Sequence, residues 1–209
     1  MKNILIHGLG QNEQSWNNTN EYLRKNQIDP ICPNLFELTK NTSKDYKMMY
    51  NVFSDLCNAQ KEKLNLCGIS LGGILALDFA KEYPEKVNSI ILIGTPYKIP
   101  KTLFKLQSII FHIMPKSTFE RMGCSKGEFI TLVNSMNNLD ISSDLDRIKC
   151  SSLIICGAKD NVNIESAKLL NKNIKNSKLK VISNSAHEVN IDNPKELADT
   201  IYDFWKDNQ

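Results

Sequence analysis

The chain has 209 residues, 41% of them apolar and 23% charged, with a formal net charge of +3. These values fit one globular domain with a substantial core and exclude a disordered or fibrous chain. Lys and Arg are interspersed with Asp and Glu, which leaves no nucleic-acid-binding patch, and no apolar run approaches the roughly 18 residues of a membrane span.

In chain order, the first strand signal is NILIH (3–7), followed by a helical pattern at about 15–26 and a weaker strand candidate, DPICPNLF (29–36). A helix is predicted at about 44–60, then LNLCG (64–68) as a strand, a helix at 71–83 and SIILIG (89–94) as a strand. After a long interruption come SLIICG (152–157), a helix at 163–175, the weaker strand LKVISN (179–184) and a helix at 194–207, opened by Asn193-Pro194. The four strong strand runs are almost wholly apolar over four to six residues, as in a parallel sheet covered by helices on both faces. Their alternation with helices predicts a doubly wound α/β fold.

Residues 97–149 break this rhythm: helical in period, punctuated by Pro100, Pro115, Gly123 and Gly127, with no strand signal. Insertions of this length in a compact domain are usually lids or binding elements. The expected organisation is a core of 1–97 and 150–209 with a small helical cap at 98–149 inserted in it. The opening MKNILIHG has too short an apolar segment for a secretory signal. Six cysteines without CxxC spacing read as reduced residues of a cytoplasmic protein.

GISLGG (68–73) links a strand directly to a helix. In that context G-x-S-x-G is a nucleophile elbow: a sharp turn that projects Ser70 above the strand end, where side chains at Gly68 or Gly72 would collide with neighbouring elements. The Leu71 N–H, at the helix N-terminus, then faces a developing oxyanion. A helix-capping serine in a tight turn is the alternative. The motif lacks the Lys of a phosphate-binding loop.

A serine nucleophile needs a base and a group that orients the base. Of three histidines, His7 follows the first strand in HGLG, His112 lies in the interruption, and His187 stands in NSAHEVN, after the last strand candidate. His187 is the expected base, because its loop passes over the strand ends. Asp160, just beyond SLIICG, completes the chain order Ser…Asp…His and is expected to fix the imidazole tautomer. HGLG supplies the second oxyanion donor, the Leu9 N–H, with His7 bracing the loop.

These segments, from ILIHGLGQNEQSW through GISLGGILAL and GAKDNV to SAHEVNIDNP, resemble the α/β-hydrolases. Within them the chain is similar to pimeloyl-carrier-protein methyl ester esterases and related carboxylesterases. The resemblance implies an α/β-hydrolase fold with a Ser70, Asp160 and His187 triad, an oxyanion hole at Leu9 and Leu71, and a cap whose Phe129 contacts substrate. The family usually has two strands before the HG strand, so a reduced, mostly parallel sheet of about six strands is predicted.

The expected reaction is hydrolysis of a carboxylic ester, or a thioester, with no metal and no cofactor. A small-molecule ester is the expected substrate, and the basic set Lys98, Lys101, Lys105, Lys116, Arg121 and Lys126 suits delivery of the acyl group by an acidic carrier protein. Two alternatives stay open. One is a lyase resembling those of the menaquinone pathway, which usually carry Arg where Ile74 stands here; the other is a ligand-binding protein on an inactive hydrolase fold.

Overall fold

A computed structural model describes residues 1–40, 42–98, 115–121 and 123–208. Five strands, β1 (Lys2–Ile6), β2 (Leu64–Ile69), β3 (Val87–Ile93), β4 (Ser151–Gly157) and β5 (Ser177–Ile182), form one parallel sheet in the order β1-β2-β3-β4-β5. The helices are α1 (Asn17–Lys25), α2 (Leu35–Leu38), α3 (Tyr46–Asn58), α4 (Leu71–Glu82), α5 (Lys116–Arg121), α6 (Lys126–Ser135), α7 (Ile164–Asn173), α8 (Val189–Asp192) and α9 (Pro194–Lys206).

The unbroken apolar runs divide between two faces because successive side chains of a strand point in opposite directions. Ile4, Ile6, Leu64, Leu66, Ile90, Leu92, Ile154 and Cys156 pack under α3, α4 and α7. Leu5, Cys67, Ile69, Ile91, Ile93, Leu153 and Ile155 face α1 and α9, whose Trp16-flanked N-terminus and Trp205 close the second layer. Both faces of β1–β4 are covered, whereas the edge strand β5 alternates, with Lys178 and Lys180 exposed. The last helix begins as expected, with the Asn193 side chain accepting from the Glu196 N–H and Pro194 at the first position.

The sheet has five strands where about six were predicted. The candidate at 29–36 contributes a single bridge, Ile31 to Ile4, with Leu5 N–H donating to Ile31 O and Ile31 N–H donating to Asn3 O, each at 2.9 Å. Pro30 and Pro33 flank Ile31 and have no N–H for a ladder, which stops the pairing at one residue. Asn34 then caps α2, accepting from the Phe36 and Glu37 amides. Ile31 lies on the side of β1 away from β2, so the chain reverses its direction of winding between β1 and β2. The crevice beyond the C-terminal ends of strands at such a reversal is where open α/β sheets place their sites.

Of the segment 98–149, expected to form a cap, α5, α6 and a 3₁₀ turn at Leu145–Arg147 are described. His112, Lys101, Lys105 and the apolar residues Leu103, Phe104, Ile109, Ile110, Phe111 and Met114 lie outside the described residues.

Candidate active site

Ser70 sits between β2 and α4 with φ 53° and ψ −112°. A non-glycine residue at positive φ outside the small left-handed region costs about 1–3 kcal/mol and persists only where its surroundings fix it. Here they do. The Ser70 N–H donates to Ile93 O at 2.8 Å and its carbonyl accepts from Ile74 N–H at 3.1 Å. A Cβ on Gly72 would stand 2.2 Å from Ile6 O, and one on Gly68 would stand 2.2 Å from Gly72 O. Only glycine lets the elbow approach β1 and close on itself. The hydroxyl makes no capping bond to α4, which removes the helix-capping alternative.

Asp160 follows β4 and is 5% exposed. Its Oδ2 lies 2.9 Å from His187 Nδ1. Asn163, one turn later, donates from Nδ2 to both carboxylate oxygens at 2.9 Å and from its backbone N–H to Oδ1 at 3.2 Å. Burial opposes the ionised carboxylate, but the hydrogen bonds from His187 and Asn163 outweigh it and hold the Asp160 pKa below the ordinary range. An anionic Asp160 requires the proton of His187 on Nδ1, which leaves Nε2 as the open, basic nitrogen.

His187 and Ser70 approach one peptide group. A Cβ on Gly94, itself at φ +52°, would lie 2.9 Å from His187 Nδ1 and 3.5 Å from Asp160 Oδ2, while the carbonyl of the preceding residue, Ile93, takes the Ser70 amide. Ser70 Oγ forms no hydrogen bond to His187 among the described residues. Catalytic contacts of this kind are commonly loose before substrate binds.

The HGLG loop is built around a buried histidine. His7 is 0% exposed. The Leu35 N–H donates to its Nε2 at 3.0 Å, so Nδ1 carries the proton and donates to Gly8 O at 2.9 Å. Burial lowers its pKa, against the pull of that bond. A trans peptide points C=O and N–H in opposite directions. Holding Gly8 O toward His7 therefore turns the Leu9 N–H away from it, and a Cβ on Gly8 would lie 3.4 Å from Ser70 Cβ. Among the described residues the Leu9 and Leu71 N–H groups have no acceptor.

A profile of the alpha/beta hydrolase fold family matches residues 4–118, more than half of the chain. The chain belongs to the α/β-hydrolase family. It is similar to the monoacylglycerol lipase ABHD6 of Mus musculus, 23% identical over 257 residues, covering 96% of this chain and 74% of the relative. A putative 2-succinyl-6-hydroxy-2,4-cyclohexadiene-1-carboxylate synthase of Bacillus subtilis is 22% identical over 247 residues, covering 96% and 89%. Among solved structures, the esterase EaEST of Exiguobacterium antarcticum superposes with a TM-score of 0.79 at 20% identity, covering 99% of this chain and 92% of that one.

In this α/β-hydrolase the structure brings Asp160 and His187 into contact and sets Ser70, Leu9 and Leu71 around the same rim. It does not bring Phe129 there: the ring is 2% exposed and stands edge-on to Phe119, 5.1 Å between centroids. An open recess of about 680 Å³ beside α2, α5 and α6 is lined by Phe36, Lys44, Lys116, Cys124 and Glu128, with none of the rim residues among its walls. Among the described residues no cluster of three or more His, Cys, Asp or Glu is placed to hold a metal ion. Sequence reasoning missed Asn163, which closes the Asp160 carboxylate, and Gln11, whose side chain accepts from the Gly8 N–H at 3.3 Å. The only signal for Asn163 was its place one turn after a candidate acid.

Proposed function

We propose that this α/β-hydrolase cleaves a carboxylic ester through an acyl-enzyme on Ser70, with His187 as base and Asp160 as its orienting acid. The Asp160–His187 pair lying against Gly94, the neighbour of the residue that anchors the Ser70 amide, carries this reading. His187 Nε2 takes the Ser70 proton as Oγ attacks the carbonyl carbon, and the Leu9 and Leu71 N–H groups receive the oxyanion. The proton passes from Nε2 to the departing alcohol. Water then attacks the acyl carbon by the same route in reverse, releasing the acid and restoring Ser70.

The relative named as a monoacylglycerol lipase and the esterase neighbour support ester hydrolysis. Within this proposal the substrate is a small-molecule ester, with Phe129 as a substrate contact only where the cap rearranges around it. Delivery by an acidic carrier protein is the finer form of the proposal, resting on Lys98, Lys116 and Lys126 around the cap. The six free cysteines suit a reducing, cytoplasmic setting.

The similarity to a cyclohexadiene-carboxylate synthase supports a second reading, in which the same triad abstracts a proton and eliminates a leaving group. Ile74, on the helix that follows the serine, argues against it.

A fluorophosphonate probe and short-chain p-nitrophenyl esters test the proposal. Wild type is expected to be labelled and to turn the esters over; Ser70→Ala is expected to lose labelling and about 10⁴–10⁶ in kcat. An unlabelled, folded wild type overturns the nucleophile assignment. Labelling without turnover of any ester, joined to elimination activity, gives the second reading the site.

A further inference from the structure

Beside the rim lies a buried polar pair that no step of the acyl transfer uses. Gln11 stands four residues after His7 and Asn190 three after His187, and they are 6% and 0% exposed. Gln11 Nε2 donates to Asn190 Oδ1 at 3.2 Å and to Glu188 Oε1 at 2.9 Å. Asn190 Nδ2 donates back to Gln11 Oε1 at 3.3 Å and to Ser15 O at 3.0 Å. All four amide hydrogens are used. The orientation of Gln11 is fixed by its neighbours: turned over, its oxygen would face the Glu188 carboxylate and its NH₂ would face the Gly8 N–H.

We propose that Gln11 and Asn190 are positioning residues that hold the oxyanion loop and the histidine loop in one frame, so that the Leu9 N–H and His187 keep a fixed relation. This rests on the triad reading above. Gly8 is held at both ends of its backbone, its N–H on Gln11 Oε1 and its carbonyl on His7. That sets the Gly8–Leu9 peptide and hence the direction of the Leu9 N–H. At the other side, Glu188 and Asn190 flank the base in sequence, and the Ala186 N–H donates to Asp192 at 2.7 Å, closing the loop around His187. Neither amide touches the reacting atoms.

The test uses the full chain as Gln11→Met, Asn190→Leu, their double variant and the smaller Asn190→Ala. Rates are measured on a p-nitrophenyl ester per fluorophosphonate-titrated site, and hydrogen–deuterium exchange is followed in segments 8–11 and 187–192. Each single variant is expected to lose about 10–10² in kcat with KM changed less than about threefold, as displacements near 1 Å cost that much. The double variant is expected to be no slower than the slower single, because both remove one link. Asn190→Leu is expected to speed exchange at 8–11, and Gln11→Met at 187–192. Should Asn190→Leu not fold, Asn190→Ala, which removes the amide without adding apolar bulk or charge, is expected to give the same loss in kcat and the same faster exchange at 8–11.

Rates within twofold of wild type, or exchange changed only in the substituted segment, overturn the proposal. The exchange result stands without any activity, so it decides the link between the loops even where fluorophosphonate labelling has already failed the triad reading.

Discussion

The two ends of the sheet carry similar polar groups and treat them differently. At the N-terminal end, Asn65 on β2 donates to Asn3 on β1 at 2.9 Å, and its oxygen accepts from Asn88 at 2.8 Å and Ser89 at 2.7 Å; Asn88 also reaches Asn208 O. Every named group there has a protein partner. At the C-terminal end, the Ser70 hydroxyl and the Leu9 and Leu71 N–H groups have none among the described residues, and the His187 side chain is 42% exposed. Saturated polar groups rigidify a fold, and groups left open at an elbow held under strain are free to act on something else. Substitutions at the C-terminal end are therefore expected to move rate, and those at the N-terminal end to move stability.

The largest expected effect after loss of Ser70 itself is Asp160→Asn. An amide in place of the carboxylate favours the wrong tautomer of His187, and kcat is expected to fall about 10⁴-fold with KM little changed. Acid unfolding tests the same contact. A carboxyl whose folded pKa is depressed below the ordinary 3.8 stabilises the fold above that value and loses the contribution as pH falls through the folded one. Wild type should lose urea stability faster than Asp160→Asn in that window. His7 adds a separate loss common to both proteins. Its buried ring is depressed from 6.5, so stability begins to decline below pH 6.5. A pH–stability curve identical for the two proteins below pH 4 would remove the Asp160–His187 bond from the folded state.

Gly94→Ala sharpens the contrast at an intermediate scale. The added methyl lies 2.9 Å from His187 Nδ1, and the backbone there is at φ +52°. The left-handed conformation costs an alanine about 1–2 kcal/mol, and the imidazole must shift. A loss of about 10² in kcat is expected, together with that drop in stability, read from kinetics and urea titration on one preparation. A stable variant with full activity would show that the imidazole does not need its place against β3.

The fold was legible because its signals are local. Apolar runs such as SIILIG have one economical solution, burial on both faces, and Gly68 and Gly72 report steric closeness directly. Ser70, Asp160 and His187 each stand just beyond a strand signal, so a parallel sheet gathers them at one rim. The candidate at 29–36 shrinks to one bridge at Ile31 because its apolar content signals a strand while Pro30 and Pro33 lack the N–H groups of a ladder. The Gln11–Asn190 pair had no local signal: its bonds join residues 179 apart, and nothing in HGLGQ or HEVN states that they meet. Asn163 was hidden differently, since an Asn at a helix start already has an ordinary explanation as a cap. In the structure its side chain caps nothing and turns to Asp160 instead.

The smallest effect on rate is expected where the groups are saturated. Asn65→Ala removes one donor and one doubly used acceptor at the far end of β2, leaving Asn3, Asn88 and Ser89 each short of a partner. Unsatisfied groups of this kind cost about 1–3 kcal/mol in total stability, seen as a lower urea midpoint with an unchanged slope. The folded fraction should keep kcat within twofold, because β2 transmits to Ser70 only through a strand whose side chains are packed on both faces. A large loss of kcat in well-folded Asn65→Ala would mean that the elbow depends on the whole length of β2 and that the two ends do not act independently. An unchanged urea midpoint would instead mean that water replaces the lost bonds at that edge, and the saturation seen there would carry no stability.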